Sequence, residues 1–377
     1  MVINYDKEYQ AFNWTTAWML LLLTFGLMTV SCIDETFVGE GGNKHAEDRM
    51  AVRLTISTPA TQKPETRSTE QEEQIEEICI LVLSRQSADT EYQFLYSVEG
   101  ININRPNSNT TTFTAMLKSS NVPIKFILIA NASQTIAEKY PDAGDTETRL
   151  KEKLVYEMDN GNESPKQITG YLPMYGEYSL PKLDAGQINA DIQIRMLRSV
   201  ARADVYNNDA TGHFRLQSIQ VFRPYDKLQL IPTHMTVNSE GGPTVDAPSL
   251  PDQSVFYPVG FPMPQQNIAG DDTSIEQIYL PEAPALTTDK QISDATCLIA
   301  GGIYDDGTYP ARTVYYRIDF KPSGHPFGQI LRNHRYMFLY RSSAAGGHTE
   351  VSGCKRISGI MPPSNHGRTY DRHAFRR

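Results

Sequence analysis

Cysteine and long hydrophobic runs are both scarce in this chain. Its 377 residues include four cysteines, Cys32, Cys79, Cys297 and Cys354, and none has the spacing of a metal-binding motif. This number does not support a disulfide framework. Residues 17–30 form an uncharged apolar run of 14 residues, which is short for a membrane span of about 20 residues.

Recognisable catalytic motifs are lacking as well. The sequence contains no G-x-x-x-x-G-K-[ST], no G-x-S-x-G and no H-E-x-x-H, and its eight histidines are scattered. Asp305 and Asp306 precede Gly307, and this pattern favours a tight hairpin turn over a calcium loop. The net charge of −9 argues against a nucleic-acid partner. We therefore expect no enzyme activity, no cofactor and no metal site.

The most informative residue is Cys32. It follows the apolar run and Ser31, an arrangement typical of a bacterial lipoprotein signal, whose hydrophobic segment is too short to span a membrane. The sequence thus predicts removal of residues 1–31, acylation (palmitate) of Cys32 and an anchor in the outer membrane. The acidic pair Asp34-Glu35 resembles a surface-export signal of Bacteroidetes lipoproteins. A plain membrane anchor and an ordinary cleaved secretory signal are the alternatives.

The remaining sequence predicts an all-β protein. Alternating apolar residues and turn signals recur at short intervals, whereas long helical patterns do not occur. Residues 32–49 are polar and form a tether, and Val52, Leu54 and Ile56 define one face of a first strand. Cys79 is expected to be a buried, small hydrophobe. Further strands are predicted at 78–83 (buried on both faces), 93–98, 111–117, 124–130, 190–207, 214–222 (with a bulge), 277–281, 295–304, 313–320 and 329–340, with helical turns in 147–156 and an irregular stretch at 172–179.

Composition changes suggest where the chain divides. Residues 58–77 are polar and predict a long exposed loop, in which Glu70, Glu72, Glu73, Glu76 and Glu77 are solvated. A Gly- and Pro-rich stretch within 225–253 predicts a boundary between domains 50–235 and 236–340. Residues 341–377 are basic and lose the alternation, so we expect a disordered tail; a short strand within Val351 to Met361 is the alternative.

Several motifs in order resemble the Bacteroidetes fimbrillins, the FimA-like family of pilus subunits and accessory lipoproteins. The resemblance covers roughly residues 20 to 340. It is carried by the lipoprotein Cys32, the alternating first strand, Thr66-Arg67-Ser68, the strand 78–83, FILIAN at 126–131, MYGE at 174–177, LRSVAR at 197–202, YYRIDF at 315–320 and ILRNHRY at 330–336.

The resemblance implies two transthyretin-like β-sandwich domains in tandem and a processing step. An Arg-specific or trypsin-like protease would cut between Arg67 and Ser68, and residues 50–67, with Val52, Leu54 and Ile56, would leave. A strand of another fimbrial subunit would fill the vacated groove. Arg53 and Arg85 are alternative cleavage sites if exposed.

The resulting expectation is a structural or accessory subunit of a surface fimbria that serves adhesion. The alternative is a surface lipoprotein that binds glycans, with Tyr304, Tyr309, Tyr315, Tyr316 and Phe320 as a sugar platform; a secreted hydrolase has no residue constellation in its favour. If the tail is disordered, the chain would accept a strand without donating one, which suits a tip or accessory role.

Overall fold

The computed structural model consists mainly of β-strands. It describes residues 49–58, 70–107, 109–158, 168, 170–184, 192–208, 212–239, 242–256, 263, 265–268, 274–287, 294–322, 324–342 and 349–358, with backbone alone from 341 onward. The expected all-β class is confirmed.

The first half of the chain contains short helices among its strands. The helices are α1 (Glu70–Glu73), α2 (Ser133–Glu138) and α3 (Glu147–Lys153). The strands are β1 (Arg49–Ser57), β2 (Ile78–Ser84), β3 (Gln93–Glu99), β4 (Ile101–Asn107), β5 (Thr110–Lys118), β6 (Ile124–Ala130), β7 (Val155–Glu157), β8 (Met174–Leu180), β9 (Ile192–Arg195) and β10 (Leu197–Arg198).

The second half contains the remaining strands. They are β11 (Ala201–Asn207), β12 (Phe214–Phe222), β13 (Lys227–Gln229), β14 (Thr236–Val237), β15 (Pro243–Thr244), β16 (Gln266–Asn267), β17 (Ser274–Leu280), β18 (Cys297–Tyr304), β19 (Arg312–Asp319), β20 (His334–Ser342) and β21 (Thr349–Ser358).

Four larger sheets result, here numbered I to IV. Sheet I has the order β4-β5-β1-β9, and sheet II has the order β10-β8-β6-β2-β3. Sheet III is β17-β11-β20-β21, and sheet IV is β16-β12-β18-β19. Two small ladders, β13-β7 and β14-β15, complete the described topology.

Side-chain alternation explains where the cores lie. Inward residues of β1 and β5, such as Leu54 and Phe113, join inward residues of β2 and β6 in one buried cluster, so sheets I and II enclose a core. Strands of sheets III and IV contribute to a second cluster that includes Phe214 and Phe338. The two pairs of sheets therefore each bury their own apolar faces.

Sheet II is buried on both faces. Every residue of β2 and β6 is buried, as predicted for 78–83. Its outer face packs in a third cluster with Ile136 of α2, Leu150 of α3 and Leu230. Continuous apolar runs such as ILVL at 80–83 are thus explained by a layer on each side of the sheet.

The buried thiols behave as the sequence predicts for Cys79. Cys79 and Cys297 are both free and buried, and burial raises the pKa of Cys79 to about 12 and that of Cys297 to about 11. Both side chains are therefore protonated, weakly polar groups within the packing.

The division between the sheets differs from the expected boundary at 225–253. Strands β11 and β12 pair with β17, β20, β16 and β18, all of which follow residue 263. The change of sheets occurs at Ser199-Val200, between β10 and β11. The predicted strand at 190–207 is accordingly broken into β9, β10 and β11, because this stretch passes through three sheets in turn.

Two segments that were not expected to be strands, one within 172–179 and one in the tail, form strands in the structure. Residues 174–180 form β8, not an irregular stretch, and Gly176 leaves room there for the side chain of Met196, whose Sδ would lie 2.4 Å from an added Cβ. In the tail, residues 349–358 form β21, which pairs antiparallel with β20. The expected disorder therefore does not hold for residues 349–358, which match the alternative of a short strand. Residues 359–377 lie outside the described part of the chain.

Strand β1 provides a direct test of the first core. Leu54 is fully buried between sheets I and II, so Leu54→Ala removes apolar contacts and leaves a cavity. We expect the free energy of unfolding to fall by about 2–5 kcal/mol, measured by urea denaturation. Arg53→Ala, on the exposed face of the same strand, should change it by less than about 0.5 kcal/mol. Equal effects of the two substitutions would contradict this packing.

Candidate functional site

The first strand occupies the middle of sheet I. β1 pairs antiparallel with β5 along its full length, from Arg49 opposite Lys118 to Ser57 opposite Thr110. On its other side, residues Leu54 to Ser57 pair in parallel with β9. Val52, Leu54 and Ile56 are fully buried, whereas Ala51 and Arg53 are exposed. The predicted removable strand is therefore an integral, central part of the sheet.

The end of β1 is fixed on both sides by backbone hydrogen bonds. The amide of Met196 donates to the carbonyl of Ser57 at 2.9 Å, and the amide of Thr58 donates to the carbonyl of Asn109 at 3.0 Å. The chain then enters residues 59–69, which are outside the described residues and contain Arg67 and Ser68. Cys32 also lies outside them.

Residues 72–77 are docked on the fold, and we call them the post-loop segment because they follow the residues that the sequence predicts as a loop. Ile75 is fully buried in the first core. The Asn131 amide donates to the carbonyl of Gln74 at 2.9 Å, and its Oδ1 accepts from the amide of Glu76 at 2.9 Å. The expectation of a solvated loop is therefore wrong for Glu72 and Glu73, which are buried, whereas Glu76 and Glu77 are exposed as predicted.

Glu72 is the most strongly held residue of the post-loop segment. It is 1% exposed, although the sequence predicted a solvated charge. Its Oε1 accepts from Nη1 of Arg202 at 2.6 Å and from the hydroxyl of Tyr279 at 2.7 Å. Nε of Arg198 donates to the Glu72 carbonyl at 2.9 Å. The burial is tolerated because cations and a hydroxyl replace the water that the carboxylate loses.

A second buried carboxylate, Asp204, extends this arrangement within sheet III. It accepts from Nε of Arg202 at 2.8 Å and from Nε of Arg335 at 2.5 Å. The amide of Gln277 also donates to it at 2.8 Å. Gln277 has a positive φ of 65° and lies where the β11–β17 register shifts, so this irregularity turns an amide towards the carboxylate.

We call these residues the Glu72 cluster; they are Glu72, Arg198, Arg202, Asp204, Tyr279 and Arg335. Burial lowers the pKa of Arg198. Burial also acts against the charge of Arg202, but Asp204 and Glu72 outweigh it and raise the pKa of that guanidinium. The cluster is thus an ion-pair network that joins the post-loop segment to strands of sheets II and III.

The cluster has the features of a structural network. Each carboxylate is engaged by at least two donors, and Glu72, Arg202 and Asp204 are buried. Among the described residues, no group of three His, Cys, Asp or Glu could hold a metal ion. In the same part of the chain, no helix is long and apolar enough to cross a membrane.

The aromatic residues considered as a sugar platform do not lie together on one surface. Phe320 is fully buried, and Tyr316 packs against Phe214 with ring centroids 5.1 Å apart. Tyr309 and Tyr315 are 66% and 70% exposed. Tyr304 also packs against the second core, so three of the five residues of the predicted platform are drawn into it.

None of the contacts within the Glu72 cluster is predicted from the sequence. A signal existed for Arg202 and Asp204, which stand between the buried residues Ala201, Ala203 and Val205 in a strand. Charges at such positions need partners within the fold. Glu72 gave no such signal, because a run of glutamates between polar residues is typical of a solvated loop.

The raised pKa of Tyr279 makes the free energy of unfolding decrease as the pH becomes alkaline. Burial first, and then Glu72, raise it above its ordinary value of 10.0, so the folded chain keeps a proton that the unfolded chain loses. This contribution is complete below about pH 10 and is lost as the pH rises towards the folded-state pKa. Tyr279→Phe should therefore show a shallower fall in the free energy of unfolding between about pH 9 and 11, measured by urea denaturation. Tyr309→Phe, an exposed control, should keep the parent slope; a parent slope in Tyr279→Phe would contradict the contact.

The structural comparison finds similar solved structures, whereas the sequence comparisons find none. No family model and no curated protein matches the sequence. A proposed cell adhesion protein from Parabacteroides distasonis is 13% identical, with a TM-score of 0.52 over 84% of this chain and 93% of that one. The tip fimbrial protein Mfa3 from Porphyromonas gingivalis, truncated at its C-terminus, is 16% identical, with a TM-score of 0.48 over 81% of this chain and 100% of that one.

The fimbrilin FimA from Porphyromonas gingivalis W83 is also similar. It is 13% identical, with a TM-score of 0.42 over 82% of this chain and 92% of that chain. Similarity at these identities concerns the fold. The Parabacteroides distasonis protein, at a TM-score of 0.52, supports the predicted all-β fold.

Proposed function

We propose that this chain is a structural or accessory subunit of a cell-surface fimbria and that it serves adhesion. It is exported as a lipoprotein acylated at Cys32, anchored in the outer membrane and assembled by strand exchange with other fimbrial subunits. The fold shared with fimbrial and adhesion proteins supports this role. The position of β1 in sheet I is the single observation that carries the mechanism.

The energetics of β1 favour replacement over simple loss. Burial of Val52, Leu54 and Ile56 stabilises the fold by about 1.5–3 kcal/mol for each side chain, or roughly 5–9 kcal/mol for the three, compared with about 5–15 kcal/mol for a typical domain. Loss of β1 would also leave backbone groups of β5 and β9 without partners. A subunit that has lost this strand therefore gains from binding another one.

Proteolysis in residues 59–69 is the proposed trigger. A cut between Arg67 and Ser68 by an Arg-specific or trypsin-like protease would leave β1 attached by non-covalent contacts alone on its C-terminal side. An incoming strand that copies its position would run antiparallel to β5 and parallel to β9. Main-chain hydrogen bonds would then provide affinity, and the pockets of the three apolar side chains would provide specificity.

Strand β21 changes the expected role of the tail. A disordered tail would have restricted the chain to accepting a strand, as expected of a tip or accessory protein. Residues 349–358 instead lie at the edge of sheet III, where β20 is their one neighbour in the order of that sheet. The reason for restricting the chain to the end of a fibre is thereby removed, and both shaft and accessory roles are compatible with the fold.

Digestion of the surface-extracted protein with an Arg-specific protease tests the proposal. We expect a new N-terminus at Ser68 by N-terminal sequencing, together with detergent-resistant ladders on gels, because cut subunits exchange strands. Arg67→Ala should abolish both. Arg85→Ala should behave like the parent protein. Ladders formed by chains that retain residues 50–57 in place, or a monomer that stays uncut and binds polysaccharide tightly, would contradict the proposal.

A further inference from the structure

Removal of β1 would leave β5 and β9 without a strand between them in sheet I. The order β4-β5-β1-β9 means that the strand to be lost is the sole link within the sheet between the β4–β5 hairpin and β9. An incoming strand needs its two neighbours about 10 Å apart, which is twice the spacing between paired strands. The two walls of the groove must therefore be held apart by contacts that do not involve β1.

The β9 wall is fixed to sheet II. Met196, between β9 and β10, is fully buried, and β10 pairs with β8 at Leu197 opposite Tyr175. Gly176 of β8 lies directly beneath Met196 and Ile194. None of these contacts involves β1, although the Met196 amide also donates to Ser57 of that strand.

The other wall, the β4–β5 hairpin, is held differently at its two ends. Near the end of β5, the amide of Lys118 donates to the hydroxyl of Tyr96 at 2.9 Å, and Ser120 and Leu183 exchange backbone hydrogen bonds at 2.8 Å. At the turn between the strands, Asn109 accepts from Thr58. Thr58 belongs to the segment that would leave, so that contact would be lost with β1.

Arg105 supplies a second contact near the same turn. This β4 residue donates through Nε to the carbonyl of Ile75 at 3.1 Å and through Nη2 to Oε1 of Glu76 at 2.7 Å. Its partners lie in the post-loop segment, which comes after the proposed cut and stays with the subunit. The hairpin turn is therefore connected through Arg105 to a part of the chain that does not depart.

The post-loop segment is itself anchored at three places. Glu72 is held by the Glu72 cluster, Ile75 by the first core, and the backbone of Gln74 and Glu76 by Asn131. The anchor at Glu72 is the one that reaches beyond sheets I and II, to Arg202 and Tyr279 of sheet III. Arg105 is thus connected, through the post-loop segment, to strands of sheet III that do not pair with β1.

We infer that residues 72–77 are a strut that keeps the groove open after β1 has left, with Arg105 as its contact to the groove wall and Glu72 as its anchor. This role rests on the proposed strand exchange. It makes Glu72 and Arg105 positioning residues, because neither pairs with the incoming strand. It also places the boundary of the removable segment before Glu72, since the chain from Glu72 onward cannot leave without breaking the buried network.

The strut is first tested in the intact, full-length chain by hydrogen exchange. Glu72→Gln weakens the anchor, and we expect the amides of residues 72–77 and of the hairpin turn, 104–112, to exchange at least about tenfold faster. Arg105→Met, at a partly exposed residue, should accelerate 104–112 without disturbing the Glu72 cluster, and it provides a test if Glu72→Gln folds poorly. Glu152→Gln, which removes an exposed ion pair with Arg149, should leave both regions unchanged. Parent-like exchange at 104–112 in Arg105→Met would overturn the strut.

A second experiment separates the strut from strand exchange itself. A recognition sequence for a site-specific protease is placed in residues 59–69, the chain is cut, and a labelled peptide with the sequence of 49–57 is added. Mass spectrometry measures release of β1, and fluorescence anisotropy measures binding of the peptide. We expect the parent and Glu152→Gln to exchange β1 for the peptide, and Arg105→Met to bind it at least about tenfold more weakly, since its groove is no longer held at strand width.

The outcomes distinguish the two claims. If β1 of the parent chain is not exchanged after the cut, the proposed function fails, whereas the hydrogen-exchange result still decides whether residues 72–77 brace the hairpin. If all variants exchange β1 and bind the peptide equally well, the strut is wrong and the proposed function stands.

Discussion

The interaction on which the rest of the structure depends is the insertion of β1 between β5 and β9. Three fully buried side chains and backbone pairing on both sides make it a core strand of sheet I. Without it, the sheet separates into a hairpin and a single strand, and the first core loses one wall. The same strand is nevertheless followed by a segment with the composition of an exposed loop. A strand that is essential for stability and adjacent to such a loop is well suited to be exchanged for an equivalent one.

Unlike β1, the post-loop segment is held in place by the buried ion pairs of the Glu72 cluster. Buried ion pairs often add little net stability, because desolvation offsets the attraction, but breaking one leaves an uncompensated charge in the interior. Glu72 and Asp204 have donors from two or more residues. Their removal would therefore be costly, although their formation need not stabilise the fold strongly. Such a network fixes the position of the post-loop segment. In the proposed exchange, β1 would leave and residues 72–77 would stay with the subunit.

Sequence patterns predicted the positions of strands better than the arrangement of those strands in sheets. The run at 124–130 and the bulged strand at 214–222 were located correctly, because period-two alternation and apolar runs are local signals. The division of the sheets was missed, because Gly- and Pro-rich residues 225–253 look like a linker, whereas the chain changes sheets within the apolar LRSVAR motif. Glu72 was assigned to solvent, since its partners Arg202 and Tyr279 lie 130 and 207 residues away. Such contacts follow from the tertiary fold and cannot be inferred from composition.

The most direct test of the account is a disulfide that locks β1 in place. Ala51 and Met116 are paired across β1 and β5, and both are exposed; directly opposed Cα atoms in such pairs are about 4.5–5.5 Å apart, within the range of a disulfide. Cys79 and Cys297 are buried, and Cys354 is changed to Ser in the test chain so that it does not compete. In the Ala51→Cys, Met116→Cys chain, protease-treated protein should form no ladders while oxidised and should form them once reduced. Ladders formed with the disulfide intact would contradict the central claim that β1 must leave for subunits to assemble.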